Sequence, residues 1–314
     1  MKTLVMEPMP DLFWEEIRKK GWNSYFTESV TSNDKIKIII IRTKTDFNKN
    51  RFVEFPNLKM IIRAGSGFDN IDIIEANKRN VIVYNTPEAN AFSAYEQTLS
   101  FIFALIKQHQ ICKDRVIKGN WEKKFMPNWE ISDLKVLIVG VGRVGTRVAH
   151  ALQHLGAQVK GVDPYLSISD WKQKNIESII YKEGIKWCNL LTFHCPLTDK
   201  TENYFDEKVL NTLKNSIWLV NTSRGKVVNE SVVEKGILNE DIIGFASDVF
   251  SEEPWKVKKF ANNLNVILSP HVGAYTKKAK IRMSLETLEA WSGYVNQHQI
   301  NNKVDSRFCS TINK

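Results

Sequence analysis

Polar side chains stand directly after four apolar stretches of the chain, and their types could bind an anion and move a proton. The four segments read His194-Cys195-Pro196-Leu197-Thr198, Asn221-Thr222-Ser223-Arg224-Gly225, Asp248-Val249-Phe250 leading to Glu252-Glu253-Pro254, and Ser269-Pro270-His271-Val272-Gly273-Ala274. Ligands of a doubly wound sheet bind at the carboxyl ends of its strands, so an arginine, acids and a histidine are expected to converge there. Beside a nicotinamide cofactor, such a set favours hydride transfer to or from a carbon that bears oxygen.

The cofactor is predicted by the stretch from Lys135 to Asp163, KVLIVGVGRVGTRVAHALQHLGAQVKGVD. An apolar strand precedes Gly140, Gly142 and Gly145 at GxGxxG spacing, and a helical pattern follows. In such a motif the glycines serve a tight turn, the close approach of a pyrophosphate and the packing of helix on strand. A second strand then ends at Asp163, where a carboxylate would bind the adenosine ribose and repel a 2′-phosphate. The arrangement therefore predicts a dinucleotide-binding site, the alternative being that the glycines only make a tight turn. The acid at Asp163 favours NAD over NADP as the ligand.

The elements that must position these residues alternate between strand and helix. The first ninety residues or so form a small parallel α/β unit, one long helix is predicted from Phe92 to Lys118, and six or seven further strands follow. The last helix, about Lys277 to Asn296, is expected to return to the N-terminal unit. The predicted fold class is α/β, with two Rossmann-like doubly wound parallel-sheet domains and a cleft between them. The substrate domain, flavodoxin-like and discontinuous, takes residues 1–94 and 287–314, and the NAD-binding Rossmann domain takes residues 95–286.

Composition narrows the class of protein. The 314 residues leave room for about two domains, and 43% hydrophobic with 25% charged residues is typical of a globular protein. The densest apolar run, Ser100 to Ile106, is too short to span a bilayer, and no secretory leader is expected. The basic residues behind the net charge of +9 are scattered, so nucleic acid is not expected as a partner. Cys112, Cys188, Cys195 and Cys309 lack metal-ligand spacing, which predicts no metal site and a reducing, cytoplasmic location.

Several ordered segments together resemble the D-isomer-specific 2-hydroxyacid dehydrogenases. They run from RAGSGFDNID at Arg63 through VGVGRVG, HCPLT, NTSRGKVVNE and ASDVFSEEP to SPHVGAYT, which ends at Thr276. The resemblance covers most of the chain and implies an NAD-dependent dehydrogenase of a D-2-hydroxy acid. It also implies a homodimer formed through the cofactor domain. Because the chain ends soon after the last helix, a C-terminal regulatory domain is expected to be absent.

The resemblance gives a role to each of three side chains. It places Arg224 against the carboxylate and carbonyl oxygen of the substrate, makes His271 the acid/base group, and makes Glu253 the partner of that histidine. The chemistry agrees, because an arginine holds a carboxylate through a planar fork without titrating, and a histidine titrates near neutrality. Without the resemblance, His271 is typical of a turn residue, and Glu253 beside Glu252 is typical of a solvated acidic pair.

The resemblance also implies a substrate loop and a set of cofactor contacts. Arg63, Ser66 and Gly67 belong to the substrate loop, in which backbone N–H groups of residues 65–67 would bind the carboxylate. The implied cofactor contacts are Thr86, Gly140, Gly142, Arg143, Val144, Gly145, Asp163, Cys195, Pro196, Thr222, Asp248 and Gly273. Arg143 and Val144 would offer their N–H groups to the pyrophosphate at the start of a helix.

Three local features resemble the phosphoglycerate dehydrogenases within that family. They are Arg63 before Ala-Gly-Ser-Gly, NTPEAN from Asn85 to Asn90, and GNWEKKF after the long helix. A phosphate at the far end of a substrate needs a cation such as Arg63, although a surface arginine at a strand end is the alternative interpretation. The sequence therefore favours oxidation of 3-phospho-D-glycerate to 3-phosphohydroxypyruvate, the entry to serine synthesis. A reductase of glyoxylate or hydroxypyruvate, or another 2-keto acid, is the alternative enzyme, and an NAD-sensing corepressor is the alternative of another class.

Overall fold

The structure, a computed structural model, describes residues 2–29, 32–123, 129–298 and 303–304. Its chain divides into two compact units, Met1–Phe92 with Ala274–Lys314, and Ser93–Gly273. Each unit is built on one sheet in which every strand runs parallel to its neighbours. The predicted fold class of two parallel-sheet α/β domains is therefore confirmed. Part of the predicted GNWEKKF feature, and Cys309, lie outside the described residues.

The first unit contains a five-stranded sheet in the order β2-β1-β3-β4-β5. Its elements are β1 (Lys2–Val5), α1 (Asp11–Lys19), β2 (Phe26–Thr27), β3 (Ile36–Ile41), α2 (Lys49–Val53), β4 (Met60–Arg63), α3 (Ile73–Lys78) and β5 (Ile82–Asn85). The central strand β3 explains the layering, because Ile38 and Ile40 join one buried cluster while Ile39 and Ile41 join the other. A strand covered on both faces needs apolar residues at successive positions, and the isoleucine run supplies them.

A long C-terminal helix, α11 (Lys277–Val295), belongs to this first unit. Its Leu288 and Trp291 are buried with the strands, and the indole Nε1 of Trp291 donates to Oγ1 of Thr3 on β1 at 2.8 Å. The second boundary between the two units therefore lies between Gly273 and Ala274. The predicted boundary at residues 286 and 287 falls inside this helix, and it differs because the whole helix packs with the first sheet rather than its last turns alone.

The second unit contains a seven-stranded sheet in the order β12-β11-β10-β9-β6-β7-β8. Its elements after residue 130 are β6 (Lys135–Val139), α6 (Arg143–His154), β7 (Gln158–Val162), α7 (Ile168–Lys174), β8 (Glu177–Ser178), α8 (Tyr181–Trp187), β9 (Leu190–Phe193), α9 (Glu207–Leu210), β10 (Ile217–Asn221), α10 (Glu230–Leu238), β11 (Ile242–Ser247) and β12 (Val266–Leu268). The strand order reverses between β6 and β9, which makes their carboxyl ends the expected ligand crevice.

The chain between β5 and β6 forms two α-helices, α4 (Pro87–Ile106) and α5 (His109–Ile117), rather than the single helix that the sequence predicted. Gln108 takes a left-handed conformation with φ of 46° and ends the first helix, which an unbroken α-helix cannot accommodate. None of the residues of α5 is buried. Within the described ranges, no helix is both long enough and apolar enough to cross a membrane.

Candidate active site

The carboxyl ends of four neighbouring strands in the second unit lie side by side. Phe193 at the end of β9 pairs with Asn221 of β10, Asn221 with Ser247 of β11, and Ser247 with Leu268 of β12. The polar segments that follow these strands therefore leave the same edge of the sheet. The candidate catalytic residues were predicted in these four segments. The structure brings three of their side chains into one group.

That group is formed by His271, Glu253 and Arg224. Nδ1 of His271 lies 2.7 Å from Oε2 of Glu253, and Oε1 of Glu253 accepts the N–H of Phe250 at 3.1 Å. Burial raises the pKa of Glu253, but the hydrogen bond and charge of His271, the N–H of Phe250 and the charge of Arg224 outweigh it and lower that pKa. Glu253 is therefore ionised at neutral pH and engages one ring nitrogen. Nε2 of His271, on a side chain that is 35% exposed, is the nitrogen left for a ligand.

The turn after β10 fixes the position of Arg224. The side chain of Asn221 accepts the N–H of Ser223 at 3.1 Å and donates to the carbonyl of Arg224 at 3.0 Å, which closes a tight polar turn. A Cβ on Gly225 would collide with the backbone carbonyl group of Phe250. The glycine thus allows the segment after Arg224 to pack directly against the segment that leads to Glu253.

The turn around His271 is held by Asp248. The buried carboxylate of Asp248 accepts the N–H groups of Val272 at 2.8 Å and Gly273 at 2.7 Å, and it also accepts a hydrogen bond from the hydroxyl of Ser269. His271 itself has φ of 53°, a left-handed conformation that is uncommon for a residue with a Cβ. Such backbone conformations persist only where surrounding contacts impose them, and they concentrate at functional sites. Asp248 and Gly273, predicted as cofactor contacts, also shape the turn that presents the imidazole.

The glycine-rich turn between β6 and α6 has the shape that a dinucleotide requires. Gly140 has φ of 91°, and a Cβ there would lie 2.6 Å from the backbone nitrogen of Cys195. A Cβ on Gly145 would collide with the carbonyl of Gly140, whereas one on Gly142 would meet no atom within 4 Å. The first and third glycines thus permit the turn and the close packing. The open space over Gly142, the N-cap of α6, leaves a pyrophosphate free access to the helix start.

The other predicted cofactor contacts of the second unit lie at the same strand ends. Arg143 and Val144 begin α6, and Asp163, directly after β7, accepts the N–H groups of Val141 and Tyr165, each at 3.0 Å. Cys195 and Pro196 follow β9, and burial raises the pKa of the Cys195 thiol to about 12. Thr222 follows β10 and shares a hydrogen bond of 2.8 Å with Thr98. The residues present therefore fit an NAD molecule.

The predicted substrate loop belongs to the first unit. Arg63 ends β4 and is only 7% exposed, so the alternative of a surface arginine is wrong. Its guanidinium occupies the place that a Cβ on Gly65 would take, and its Nη2 donates to Oγ1 of Thr43 at 3.4 Å. Within the part of the chain that the structure describes, the N–H groups of Ser66 and Gly67 donate to no protein acceptor. An anion could therefore take them without breaking the loop.

The carbonyl groups of Gly65 and Ser66, in contrast, are already engaged by the protein. Thr86, a predicted cofactor contact in the first unit, is fully buried, and its N–H donates to the carbonyl of Gly65 at 3.0 Å. The side-chain amide of Asn85 donates to the carbonyl of Ser66 at 2.6 Å. The loop thus turns its acceptors to the protein and keeps two donors for a ligand.

Arg42 is a residue of this region that the sequence analysis did not single out. It directly follows β3, whose last residue Ile41 pairs with Arg63, and its Nη1 donates to the carbonyl of Pro8 at 2.9 Å. The carboxylate of Glu7 accepts the N–H groups of Arg42, Lys44 and Thr45 and so fixes the loop. Arg42 could have been found from the pattern that predicted the site residues of the second sheet, namely a charged residue directly after an apolar strand.

The fold and these strand-end groups define a dinucleotide-binding protein of the doubly wound class. A family model described as "D-isomer specific 2-hydroxyacid dehydrogenase, NAD binding domain" matches residues 99–273, nearly the whole of the second unit. The chain belongs to the D-isomer specific 2-hydroxyacid dehydrogenase family, and NAD is the cofactor of the matched domain. The predicted family and cofactor are thereby confirmed.

Named relatives agree with this placement. The chain is 31% identical over 251 residues to the D-3-phosphoglycerate dehydrogenase of Bacillus subtilis (strain 168), which covers 80% of this chain and 48% of the relative. It thus spans about half the length of the curated relatives it matches. The solved D-lactate dehydrogenase from Aquifex aeolicus, complexed with NAD and lactic acid, is 25% identical with a TM-score of 0.85 and covers 97% of this chain and 99% of its own. A glyoxylate reductase from Paecilomyes thermophila shares the fold at 17% identity, with a TM-score of 0.86 over 98% of this chain and 99% of its own.

Proposed function

We propose that this protein is an NAD-dependent dehydrogenase of a small D-2-hydroxy acid. The observation that carries the proposal is the 2.7 Å hydrogen bond between His271 and Glu253, formed where the charge of Arg224 also acts on Glu253. A paired imidazole and a guanidinium at the strand ends of an NAD-binding sheet supply an acid/base group and an anion-binding group. NAD, when bound, supplies the hydride acceptor.

The side chains then divide the work around that transfer. Arg224 binds the carboxylate of the hydroxy acid and holds positive charge beside the oxygen that becomes a carbonyl. Nε2 of His271 takes the hydroxyl proton, and the ionised Glu253 stabilises the resulting imidazolium. In the first unit, the N–H groups of Ser66 and Gly67 bind carboxylate oxygens.

The residues that would hold NAD belong to the second unit, with Thr86 of the first unit as the exception. The start of α6, from Gly142 through Val144, binds the pyrophosphate, and Asp163 accepts from the adenosine ribose. The remaining proposed contacts, near the nicotinamide and its ribose, are Thr86, Cys195, Pro196, Thr222, Asp248 and Gly273.

For the substrate we propose 3-phospho-D-glycerate, which the reaction converts to 3-phosphohydroxypyruvate. Two observations support this choice. The relatives that the chain matches over about 80% of its length carry the name D-3-phosphoglycerate dehydrogenase. Arg63 also ends β4, and Arg42 directly follows the neighbouring strand β3, whose last residue Ile41 pairs with Arg63. These two arginines, here called the basic cluster, leave the carboxyl edge of the first sheet from adjacent strands, and a phosphate is the substrate group that such cations suit. A reductase of glyoxylate or hydroxypyruvate would use the same arginine and histidine without needing the cations.

The direct test of this choice is NADH formation from each of three acids. We expect 3-phosphoglycerate to be oxidised with a kcat/KM at least about tenfold above those for D-lactate and D-glycerate, because only it can pair with the basic cluster. Absorbance of NADH measures each rate with saturating NAD. Equal rates would reject the phosphoglycerate assignment while keeping the dehydrogenase, and no reaction with any acid in either direction would reject both.

Arg63→Ala tests the phosphate contact. We expect KM for 3-phosphohydroxypyruvate to rise about 10- to 100-fold, since a hydrogen bond between charged groups is lost, and KM for hydroxypyruvate to change far less. Steady-state reduction of the two keto acids by NADH gives the comparison. Arg51→Ala, which removes an exposed arginine paired with Glu54 in the same unit, is the matched control. An equal rise for both keto acids would remove the phosphate role from Arg63.

We also propose that the protein is a cytoplasmic homodimer. Val116 and Ile117 at the end of α5 and the following Trp121 are 54%, 72% and 74% exposed, and apolar side chains this exposed at neighbouring positions suit a subunit contact. Sedimentation of the wild type and of Ile117→Asp tests the dimer, and a monomeric wild type would reject it.

The proposed cytoplasmic location is supported by the cysteines. The three within the described ranges are free thiols, which suits a reducing compartment.

A further inference from the structure

We propose that Glu230 is a positioning residue for the His271–Glu253 pair. It acts by anchoring residues 250–258, here called the acidic segment, which carry Glu253. This role rests on the proposed function of the pair, but the anchoring itself is visible in the contacts of the second unit.

Glu230 is the first residue of α10, directly after the N-cap Asn229. Its side chain is 7% exposed and accepts hydrogen bonds from Ser251, Trp255 and Lys258. Oε1 accepts the N–H of Ser251 at 2.8 Å, while Oε2 accepts the indole Nε1 of Trp255 at 3.0 Å and lies 2.8 Å from Nζ of Lys258. All three donors belong to the acidic segment, so one carboxylate gathers three points of a single stretch of chain.

Two of those points flank Glu253. Ser251 lies two residues before it and Trp255 two residues after it, so the path of the chain between them is fixed at both ends by the same carboxylate. The rings of Phe250 and Trp255 stack with their centroids 4.6 Å apart, and Phe250 donates its N–H to Glu253. Glu230 thus holds closed the loop from which Glu253 reaches His271.

Besides these polar contacts, the acidic segment is held chiefly by the ring of Trp255, which packs against the buried cluster that includes Phe260. The residues of the segment form no helix or strand, and Glu252, Glu253, Pro254, Lys256 and Val257 are exposed. A stretch that buries so few side chains depends on its specific polar anchors for a defined position. Burial alone raises the pKa of Glu230, but Lys258, the N–H of Ser251 and the indole of Trp255 lower it to about 2, so the anchor is ionised throughout the range in which the enzyme would work.

Loss of this anchor would act on chemistry rather than on cofactor binding. If the acidic segment moves, Glu253 no longer holds the imidazole in one orientation, and a displacement of about 1 Å at a reacting group can lower a rate about 100-fold. The groups that donate to Glu230 are those of Ser251, Trp255 and Lys258, which belong neither to the glycine-rich turn nor to the turn at Asp163. A contact that only stabilised the fold would instead lower the amount of active protein and leave the chemistry of each active molecule unchanged.

The test uses Glu230→Gln and Trp255→Phe in the full chain. Glutamine cannot accept all three bonds, and phenylalanine keeps the stack on Phe250 while removing the indole donor. We expect kcat to fall about 10- to 100-fold in Glu230→Gln and by a smaller factor in Trp255→Phe, with the Kd for NADH within about twofold of wild type. Glu75→Gln, which changes an equally buried carboxylate paired with Arg79 in the first unit, is the matched control and should keep its kcat.

A second measurement needs no turnover. In cofactor-free protein labelled with ¹³C at glutamate carboxyl groups, the Glu253 resonance is assigned by its absence in Glu253→Gln, and its pH titration gives the pKa. We expect that pKa to rise toward the ordinary glutamate value in Glu230→Gln, because the contacts that lower it depend on the anchored segment. We also expect Glu230→Gln to add little to the loss of kcat already caused by Glu253→Gln.

Two outcomes would overturn the inference. One is an unchanged Glu253 titration in Glu230→Gln, and the other is a loss of kcat that adds fully to that of Glu253→Gln. A wild-type protein without hydride transfer would reject the proposed function instead, and the carboxyl titration would still report whether Glu230 sets the environment of Glu253.

Discussion

His271→Gln is expected to lower kcat by about 100- to 10,000-fold while the protein still binds NADH, since proton transfer by a positioned group contributes that much to a rate. The imidazole is the group in the site that can take the hydroxyl proton through Nε2 while Nδ1 stays on Glu253 at 2.7 Å. Glutamine keeps a polar side chain of similar reach but does not titrate. The substrate hydroxyl would then have to lose its proton to water, without a base held in place.

The measurement separates this loss from misfolding. Steady-state kcat with NAD and 3-phosphoglycerate gives the loss, and quenching or enhancement of NADH fluorescence gives the cofactor affinity. His298→Gln, a change at an exposed histidine of the first unit, is the matched control and should keep full turnover. Turnover of His271→Gln within a few-fold of wild type would discard the acid/base role, and loss of NADH binding would show that the change acts on the fold.

Strands covered on both faces were predictable because their residues have little freedom of type. β3 (Ile36–Ile41) shows why, because it lies on a nearly unbroken run of isoleucines, the pattern that a strand buried on both faces requires. The two-residue strand β2 (Phe26–Thr27) is too short to show any periodicity and was not predicted. The break at Gln108 was also missed, because apolar residues continue at helical spacing across it and no glycine or proline marks it.

Much of the candidate site was predictable for a topological reason. In a parallel sheet all strands present their carboxyl ends at one edge, so Arg224 and His271, 47 positions apart in the chain, had to leave the same edge once their strands were recognised. The pairing of His271 with Glu253 rather than Glu252 came from the resemblance, and the structure shows that contact. The anchor Glu230 had no such signal, since a glutamate at the start of a helix is expected from capping alone and its partners lie 21 or more residues later.

The second large effect is expected at Arg224, where lysine should lower kcat/KM by about 100- to 1,000-fold although the charge is conserved. In the proposed reaction this residue makes two contacts with the substrate, one to the carboxylate and one to the oxygen that becomes a carbonyl. A planar guanidinium can make both with parallel donors, whereas an ammonium group is a single point. The turn set by Asn221 and Gly225 also fixes the backbone of residue 224, so a lysine cannot move its backbone to compensate.

The pattern of the loss distinguishes this explanation from general disruption. Oxalate mimics the carboxylate and the neighbouring oxygen, so its Ki should rise in parallel with the loss of kcat/KM in Arg224→Lys, while the Kd for NADH stays near its wild-type value. Lys226→Met is the control, because Lys226 lies two residues after Arg224 and is exposed. This variant should change neither kcat/KM nor the Ki of oxalate. If Arg224→Lys retained wild-type kcat/KM, charge alone would suffice and the bidentate contact would be excluded. If oxalate binding survived while kcat fell, Arg224 would act on the transition state only, and a ground-state contact between Arg224 and the carboxylate would be excluded.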